Sequence, residues 1–278
     1  MERPAALAHD AIHETVEALL RDCERGSVLD IPAGHGALAY RLRELGYGVS
    51  CSDLYPEIFE LAGIDIRKGN LDGTLPYEDK SFDYVVCVEG LEHIEHPANA
   101  IREFARIVRP NGTLIVSVPN IMNIEERFRW LFSGYTSHFK PLSEPAIKEM
   151  VGDFADKSEI GLHVNPIGYS ELRYFLEDNG FELHSVHVDK KKGGMWAFMP
   201  IVWLIRLFAK FTKPEKRAKR WQDELNSSEV LLGGNTMIML AKKIGANFHI
   251  LTPPEGSRWS MLQQKNRRPD EPLPQAEF

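Results

Sequence analysis

A short glycine-bearing segment near the N-terminus has the residue types that hold a nucleoside or an anion. Gly34 and Gly36 lie between a predicted strand that ends near Asp30 and a predicted helix. Glycine lets the backbone approach a ligand closely, and a helix N-terminus offers unpaired N–H groups to an anion. Residues 34–39 also match the fingerprint G-x-G-x-x-A, although a tight turn in any α/β protein would fit that pattern as well.

Side chains suited to a nucleoside follow the next two predicted strands. Asp53 ends the second predicted strand, where its carboxylate can accept hydrogen bonds from the two hydroxyls of a ribose. Asn70 and Leu71 follow the third predicted strand and would place one polar and one apolar side chain beside a nucleobase. These residues predict a nucleoside site at the carboxyl edge of a sheet.

A third group of residues could move a proton. Glu89, Glu92 and His93 follow the fourth predicted strand, at the edge where ligands bind in such folds. His93 is the first candidate for a general base, which is needed where a reacting hydroxyl must lose its proton. The alternative is that His93 caps or packs the helix that follows it.

The pattern of apolar segments predicts the scaffold that positions these residues. Strands alternate with helices over the first 120 residues, which implies a doubly wound, mostly parallel α/β sheet with right-handed crossovers. The seven predicted strands cover residues 28–31, 49–53, 64–67, 82–88, 113–118, 181–188 and 236–241. The predicted helices cover residues 5–22, 37–45, 97–108 and 168–179, with a variable helical stretch at 121–151 and a turn at 109–112.

Length, charge and cysteine content narrow the class of protein. The chain has 278 residues and a net charge of −7, which argues against a surface that binds nucleic acid over its whole extent. Its three cysteines form no C-x-x-C pair and indicate reduced thiols in a cytoplasmic chain. Acidic residues interrupt the apolar N-terminus, and we expect neither a signal peptide nor a membrane-spanning helix.

Taken together, the motifs over residues 27–120 resemble those of the class I S-adenosylmethionine-dependent methyltransferases. The matching features are V-L-D-x-x-x-G-x-G from Val28, an acidic residue after the second strand, L-P-Y-x-x-x-x-F-D-x-V from Leu75, and L-E-H ahead of P-N-G. The resemblance implies a Rossmann-like fold and S-adenosyl-L-methionine as cosubstrate. The cofactor-binding residues that it implies are Asp30, Gly34, Gly36, Asp53, Leu54, Asn70, Leu71 and Glu89.

The resemblance also implies individual roles for these residues. The two glycines would line the methionine end of the cosubstrate, and Asp30 would hold the turn or contact the amino group. Asp53 would bind the ribose, Leu54 would cover the adenine, and Asn70 with Leu71 would meet its edge. The chain departs from the family pattern at Pro32, where glycine is usual, and at Asn70, where aspartate is frequent.

The acidic and histidine residues after the fourth strand raise the question of a metal ion. The sequence E-x-x-E-H, formed by Glu89, Glu92 and His93, resembles the cluster of the ubiquinone-biosynthesis O-methyltransferases and the small-RNA 2′-O-methyltransferases. There the cluster holds a divalent metal together with a further ligand, for which His138 and His163 are the candidates here. Because many relatives carry the same motif without metal, no metal site is predicted.

The second half of the chain is predicted to complete one methyltransferase domain over residues 1–245. Within it, residues 1–120 would bind the cofactor, 121–180 would cap the acceptor side, 190–226 would form a helical insertion, and 246–278 would be a proline-rich tail. Acceptor contacts are sought among the residues after the fifth strand, although most of the aromatics are expected in the core. These candidates are Val118, Pro119, Asn120, Phe128, Trp130, Phe132, Tyr135, Phe139, His163 and Tyr169.

Residues 190–220 combine aromatic and basic side chains. Ten lysines and arginines stand there against a single acid, Glu215, around the apolar run 195–211. Such a segment suits a helix in the headgroup layer of an anionic membrane, which would place the protein at the inner face of a membrane. The alternatives are a helix packed on the sheet or on a second subunit in a homodimer; a nucleic-acid partner is disfavoured because the run is so apolar.

The hypothesis from the sequence is an S-adenosylmethionine-dependent methyltransferase that methylates an oxygen of a small or lipid-linked acceptor. One alternative is a nicotinamide-dependent oxidoreductase or epimerase, but no tyrosine precedes a lysine by four residues, as the usual Tyr-x-x-x-Lys pair requires. The other alternative is a non-catalytic nucleoside-binding module.

Overall fold

The computed structural model describes residues 3–143, 145 and 162–245. The strands are β1 (Ser27–Asp30), β2 (Gly48–Asp53), β3 (Ile66–Lys68), β4 (Phe82–Cys87), β5 (Val108–Pro119), β6 (Phe181–Val188) and β7 (Thr236–Lys243). The helices are α1 (Asp10–Arg21), α2 (Ala37–Glu44), α3 (Pro97–Ile107), α4 (Ile124–Ser133), α5 (Tyr169–Asp178), α6 (Met199–Lys210), α7 (Pro214–Ala218), α8 (Gln222–Leu225) and α9 (Ser228–Leu231). Short 3₁₀ turns cover Pro56–Ile58, Leu91–His93 and Met195–Phe198.

The seven strands form one sheet in the order β3-β2-β1-β4-β5-β7-β6. Strands β1 to β5 are parallel, and β7 runs antiparallel between β5 and β6. The predicted mostly parallel, seven-stranded, Rossmann-like sheet is therefore confirmed. Because β6 is antiparallel to β7, it points the same way as β5, and the chain leaves both strands at the carboxyl edge of the sheet.

Apolar side chains alternate between the two faces of the sheet. Leu114 and Val116 of β5 pack on one face with α3 and α5, whereas Ile115 packs on the other face with α1 and α2. Each strand residue points opposite to its neighbour, so a run of apolar residues supplies both layers at once. This explains why the central strands could be recognised as continuous apolar runs.

Several element boundaries differ from the prediction. The first helix begins at Asp10 rather than at residue 5, with the side chain of His9 accepting a hydrogen bond from the Ala11 N–H. The third strand is displaced to Ile66–Lys68. The predicted turn at 109–112 lies inside β5 as a bulge, because Phe82 pairs with Val108 while Tyr84 pairs with Thr113. The predicted tail, 246–278, lies outside the described residues, as do residues 144 and 146–151 of the variable helical stretch.

Candidate active site

A cavity of about 920 Å³ opens at the carboxyl edge of β1, β2 and β4. Loops that follow these strands form its floor, and the segment before and into α1 forms a wall. All of the predicted cofactor residues line it except Gly36, which ends the glycine turn beside it. The predicted residues in the lining are Asp30, Gly34, Asp53, Leu54, Asn70, Leu71, Glu89, His93, His138 and His163.

The glycine turn between β1 and α2 needs glycine for its backbone shape. Gly34 has φ +52°, and Gly36, which caps the N-terminus of α2, has φ +93°. A Cβ atom on Gly36 would lie 2.8 Å from a ring carbon of Phe59 and 2.9 Å from the Cβ of Leu61. The turn therefore brings backbone close to the cavity where a side chain would not fit.

Asp53 ties the end of β2 to the glycine turn. Its Oδ2 accepts a hydrogen bond from the Gly34 N–H at 2.9 Å, and its Oδ1 accepts one from the Tyr55 N–H at 2.9 Å. A carboxylate has about four acceptor positions, so two remain for ligand hydroxyls. The aspartate thus faces the cavity in a fixed orientation and can hold a diol.

Asp30 is a buried acid beside the glycine turn. Burial raises the pKa of its carboxyl to about 8; a hydrogen bond from the Ala39 backbone opposes this shift, and the charge of Asp53 adds to it. Its Oδ2 has no hydrogen-bond partner among the described residues. A cationic group in the cavity would offset the cost of ionising this carboxyl.

The loop after β3 presents Asn70 and Leu71 to the cavity. The Asn70 Oδ1 accepts a hydrogen bond from the Asp72 N–H at 2.9 Å, so the side chain closes a local turn. The Asp72 carboxylate accepts hydrogen bonds from the N–H groups of Glu95 and His96, which fixes this loop to the segment after β4. Leu71 is buried and supplies the apolar surface expected beside a base.

Glu89 has a strained backbone at the end of β4. Its φ is +49°, and such a left-handed conformation at a non-glycine residue is typical of functional sites. The Glu89 N–H donates to the Ser117 Oγ at 2.9 Å, and that hydroxyl donates to the Glu89 Oε1 at 3.0 Å. Burial raises the pKa of Glu89 to about 7, against the hydrogen bond from Ser117, which lowers it.

His93 lies in a cluster of ionisable side chains on the same cavity wall. Its Nδ1 is 3.0 Å from the Leu162 carbonyl oxygen, so Nδ1 carries the proton and Nε2 keeps a free lone pair. The His163 ring meets the His93 ring edge to face at 4.7 Å, and the His138 ring stacks on His163 at 6.3 Å. One ligand atom each from Glu92, His93 and His163 lies within 4.8 Å of the others.

Burial favours the uncharged forms of the groups in this cluster. It lowers the pKa of His93 and, aided by the neighbouring His93 and His138, lowers the pKa of His163 to about 4. Burial, with the charge of Glu89, raises the pKa of Glu92 well above its usual range. Neutral imidazoles can accept a proton or bind a metal ion.

The structure does not place most of the predicted acceptor residues in the cavity. Tyr169 is in the core, and Asn120 is buried, where its side-chain amide donates to the Val230 carbonyl. Trp130 and Phe132, which were expected in the core or against the acceptor, are instead exposed. Phe139 approaches the site only through the His163 ring, at 5.4 Å. Helix α4 therefore presents Trp130 and Phe132 to solvent, whereas its Phe128 is half-buried and lies beside Phe198.

Part of the cavity wall had no signal in the sequence. Leu7 and His13 reach the cavity from the start of the chain, and Asp189, Asn235 and Thr236 reach it from the ends of β6 and β7. Helix α1 was predicted, but its position over the glycine turn follows from packing on the sheet. The contribution of β6 and β7 depends on their antiparallel placement, which no local motif specifies.

The comparison with protein families decides what kind of site this is. The profile described as a methyltransferase domain matches residues 3–186, which is more than half of the chain. The chain belongs to the methyltransferase domain family. The region of the methyltransferase that matches includes the glycine turn, Asp53 and the cluster around His93, and the family assignment gives no support to the nicotinamide-dependent alternative.

Curated relatives of this methyltransferase are ubiquinone biosynthesis O-methyltransferases. The enzyme from Psychrobacter cryohalolentis is 29% identical over 174 residues, which cover 55% of this chain and 66% of that enzyme. The enzyme from Xanthomonas oryzae pv. oryzae is 32% identical over 143 residues, which cover 45% of this chain and 59% of that enzyme. The chain spans less than two-thirds of the length of these relatives, and the similarity to this branch is confirmed.

Solved structures confirm the fold of the methyltransferase. A SAM-dependent methyltransferase from Archaeoglobus fulgidus aligns with 83% of this chain and 94% of its own, with a TM-score of 0.50 and 16% identity. A protein from Pyrococcus horikoshii aligns with 86% of this chain and 92% of its own, with a TM-score of 0.50 and 15% identity.

Among the helices of residues 3–143, 145 and 162–245, none has the length and apolar character needed to cross a bilayer.

The cavity residues fit the parts of S-adenosyl-L-methionine, the cosubstrate that the sequence motifs imply. The buried Asp30 carboxyl, whose Oδ2 is without a partner in the described chain, fits a cationic amino group. The positive-φ glycines leave room for the ligand beside the backbone, and Asp53 has free acceptor positions for the ribose hydroxyls. Leu54 and Leu71 supply apolar contacts for a base.

The cluster around His93 also fits a divalent cation. Two imidazoles and one carboxylate form a suitable ligand set for Zn²⁺ or a similar ion. In the described part of the chain, neither carboxyl oxygen of Glu92 nor the Nδ1 of His163 has a hydrogen-bond partner. Of the two candidates for the further ligand, His163 is in this set. Glu89, which the motif had suggested as a ligand, bonds to Ser117 instead.

Proposed function

We propose that the protein methylates an oxygen atom of an acceptor, with His93 as the general base. The observation that carries this proposal is the hydrogen bond from His93 Nδ1–H to the Leu162 carbonyl, which leaves Nε2 unprotonated on a residue that lines the same cavity as the predicted cosubstrate residues. S-adenosylmethionine, when bound, supplies a methyl group activated by a sulfonium leaving group. The names of the curated relatives support oxygen as the atom that is methylated.

The residues of the chain have separate tasks in this proposal. Asp53 and Asp30 would hold the ribose and the amino group, and the glycine turn would set the position of the reactive end. His93 would take the hydroxyl proton of the acceptor at Nε2. A proton acceptor is effective only within hydrogen-bond reach of the reacting hydroxyl. The surrounding buried wall would exclude water from the reacting groups.

Replacement of His93 tests this role. We expect His93→Gln to lower turnover by about 10²- to 10⁴-fold while S-adenosylhomocysteine still binds with nearly unchanged affinity, because glutamine cannot accept the proton. Turnover would be followed with isotopically labelled methyl donor and 3,4-dihydroxybenzoate as a soluble probe acceptor. His184→Gln is the control, since His184 is exposed on β6. Failure of the wild-type protein to bind S-adenosylhomocysteine in calorimetry would contradict the proposal.

A metal-assisted route is a second candidate that the unpartnered Glu92 oxygens favour. Glu92, His93 and His163 are the residues that would hold the ion, which would acidify an acceptor hydroxyl. Elemental analysis combined with chelation separates the two routes. Full turnover in the presence of a chelator supports the base alone. Loss of turnover in the chelator, followed by recovery on addition of metal, supports the ion, provided that added metal does not restore turnover in Glu92→Gln.

A small-molecule acceptor fits the size of the cavity, and we extend the proposal to acceptors that carry a lipid tail. Support for this extension comes from the chain between β6 and β7, which leaves the sheet beside the cavity. Asp189 at its start and Asn235 at its end both line the cavity wall. A lipid tail leaving the cavity at this edge would meet the exposed aromatic side chains of residues 195–211.

A further inference from the structure

We propose that the methyltransferase docks on anionic membranes through an exposed aromatic surface at the carboxyl edge of its sheet. This aromatic surface is formed by Leu131 and Phe132 of α4 together with Trp196, Trp203, Phe208 and Phe211 in and around α6. These side chains are 70%, 81%, 79%, 65%, 68% and 79% exposed, respectively. A monomeric soluble protein rarely exposes a contiguous apolar patch of this kind without a binding partner.

Helix α6 is amphipathic, but its apolar stripe faces outward. The exposed positions 203, 204, 207, 208 and 211 recur at helical spacing and form one face. The opposite face carries the buried Val202 and Ala209. Arg206 lies towards that inner side and donates hydrogen bonds to the Asn226 carbonyl and the Ser228 Oγ, at 3.0 and 3.1 Å. The helix is thus held on the protein by its inner side, and the outer stripe stays uncovered.

Contacts between α4 and the segment before α6 join the two parts of the aromatic surface. The Phe128 ring stacks on Phe132 at 6.3 Å and approaches Phe198 at 6.0 Å. An ion pair of 2.6 Å links Lys192 to Glu125 at the start of α4. Although α4 and the segment before α6 are far apart in sequence, they are therefore in contact through Phe128 and Phe198.

The positive charge around the aromatic surface favours an anionic lipid surface as the partner. Lys190, Lys191, Lys210, Lys213, Lys216 and Lys219 are exposed in the same segment, whose ten basic residues face one acid while the whole chain carries −7. Basic side chains flanking exposed tryptophans match an anionic lipid surface, where the rings enter the headgroup layer. A symmetric dimer through this face would bring the lysines of both copies together, and their repulsion disfavours that occupant.

The position of the aromatic surface connects it to the cavity. Helix α4 follows β5, and the segment carrying α6 follows β6, so both leave the sheet at the edge where the cavity opens. A protein docked through this face would therefore approach the bilayer with its cavity edge foremost. Supply of the acceptor from the bilayer is the part of this inference that rests on the proposed function.

Vesicle flotation tests the docking without donor or acceptor. We expect the full chain to float with vesicles of phosphatidylglycerol and phosphatidylcholine, and at least about tenfold less with phosphatidylcholine alone. Trp203→Ser/Phe208→Ser and Lys213→Glu/Lys216→Glu should each weaken the partition about tenfold or more. Lys68→Glu/Arg102→Glu is the control for charge, since both side chains are exposed on β3 and α3. Calorimetry with S-adenosylhomocysteine and the thermal midpoint check that each variant folds.

Three outcomes would overturn the docking proposal. The first is a wild-type protein that stays at the bottom of the gradient with anionic vesicles. The second is binding weakened by the charge reversal but not by Trp203→Ser/Phe208→Ser, which would show adsorption without insertion. The third is a stable dimer, detected by sedimentation, that Trp203→Ser/Phe208→Ser dissociates. Because vesicle binding and S-adenosylhomocysteine binding are separate measurements, failure of one leaves the other proposal standing.

Discussion

Two buried acids, Asp30 and Asp53, have different surroundings in the cavity. Asp53 receives two backbone hydrogen bonds, which fix its orientation. Burial raises the pKa of Asp30 to about 8, and its Oδ2 lacks a partner in the described ranges. One carboxyl is therefore oriented to accept hydrogen bonds, whereas a cationic group would be needed to offset the cost of ionising the other.

Removal of Asp53 should weaken cosubstrate binding. In Asp53→Ala we expect the Kd for S-adenosylhomocysteine to rise about 10- to 100-fold, because hydrogen bonds to a charged acceptor are lost. Isothermal titration calorimetry measures the change. Asp65→Ala is the matched control, since the Asp65 side chain is 83% exposed at the start of β3 and outside the cavity. An Asp53→Ala protein that binds as tightly as the wild type would remove Asp53 from the site.

Asp30 should make stability depend on pH. Its pKa is about 8 in the folded protein and 3.8 in an exposed chain, so between these values the folded state holds a proton that the unfolded state has lost. The free energy of unfolding therefore falls as pH rises from about 4 to about 8, by up to about 1.4 kcal/mol per pH unit. Asp30→Asn removes this slope. The free energy of unfolding of Asp30→Asn, measured in urea, should therefore rise relative to that of the wild type between pH 5.5 and pH 7.5. Equal slopes for the two proteins would contradict the assignment.

At the scale of elements, the turn between β1 and α2 combines two demands on Gly36. Its φ of +93° disfavours any side chain, and a Cβ would also press on Phe59 and Leu61. We expect Gly36→Ala to lower the free energy of unfolding by about 2–3 kcal/mol and to abolish detectable cosubstrate binding. Gly46→Ala separates the two causes, because Gly46 has φ +88° but nothing within 4 Å of its Cβ position. If Gly36→Ala and Gly46→Ala lost the same free energy of unfolding in urea, contact with Phe59 and Leu61 would contribute nothing to the destabilisation.

The elements also show why part of the site could be predicted. Asp30, Asp53 and Glu89 follow parallel strands, and the carboxyl ends of parallel strands meet at one edge whatever the details of packing. The same rule does not apply to β6 and β7, so Asp189 and Thr236 were missed. Nor does local sequence show that α4 turns aromatic side chains outward, since apolar helix faces are expected to pack inward.

His163 shows the limit of prediction more sharply. The sequence left both His138 and His163 as candidates for the further ligand beside His93, because the motif gives no spacing for that ligand. The backbone N–H groups of Val164 and Asn165 donate to the Glu92 carbonyl at 2.8 and 3.0 Å, which pins this segment to the loop after β4. The choice of His163 therefore depends on tertiary hydrogen bonds.

At the scale of the whole molecule, α9 anchors the segment that carries the aromatic surface. Val230 of α9 is buried in the core cluster beneath α3 and α5. Val230→Ala should lower the free energy of unfolding by about 1–2 kcal/mol and should speed tryptic cleavage after the lysines of residues 210–220, with little effect on S-adenosylhomocysteine binding. Ile244→Ala is the control, because it removes more apolar atoms from a side chain that is 60% exposed. Unchanged cleavage in Val230→Ala would show that the segment is held elsewhere.

The placement of β7 between β5 and β6 has a consequence for synthesis on the ribosome. Within the described chain, β6 pairs only with β7, although β6 is translated first. The outer edge of β5 likewise stays open until β7 arrives. A nascent polypeptide can therefore assemble the five parallel strands early. Strand β6 must remain unpaired until residue 243 has left the exit tunnel and β7 can form.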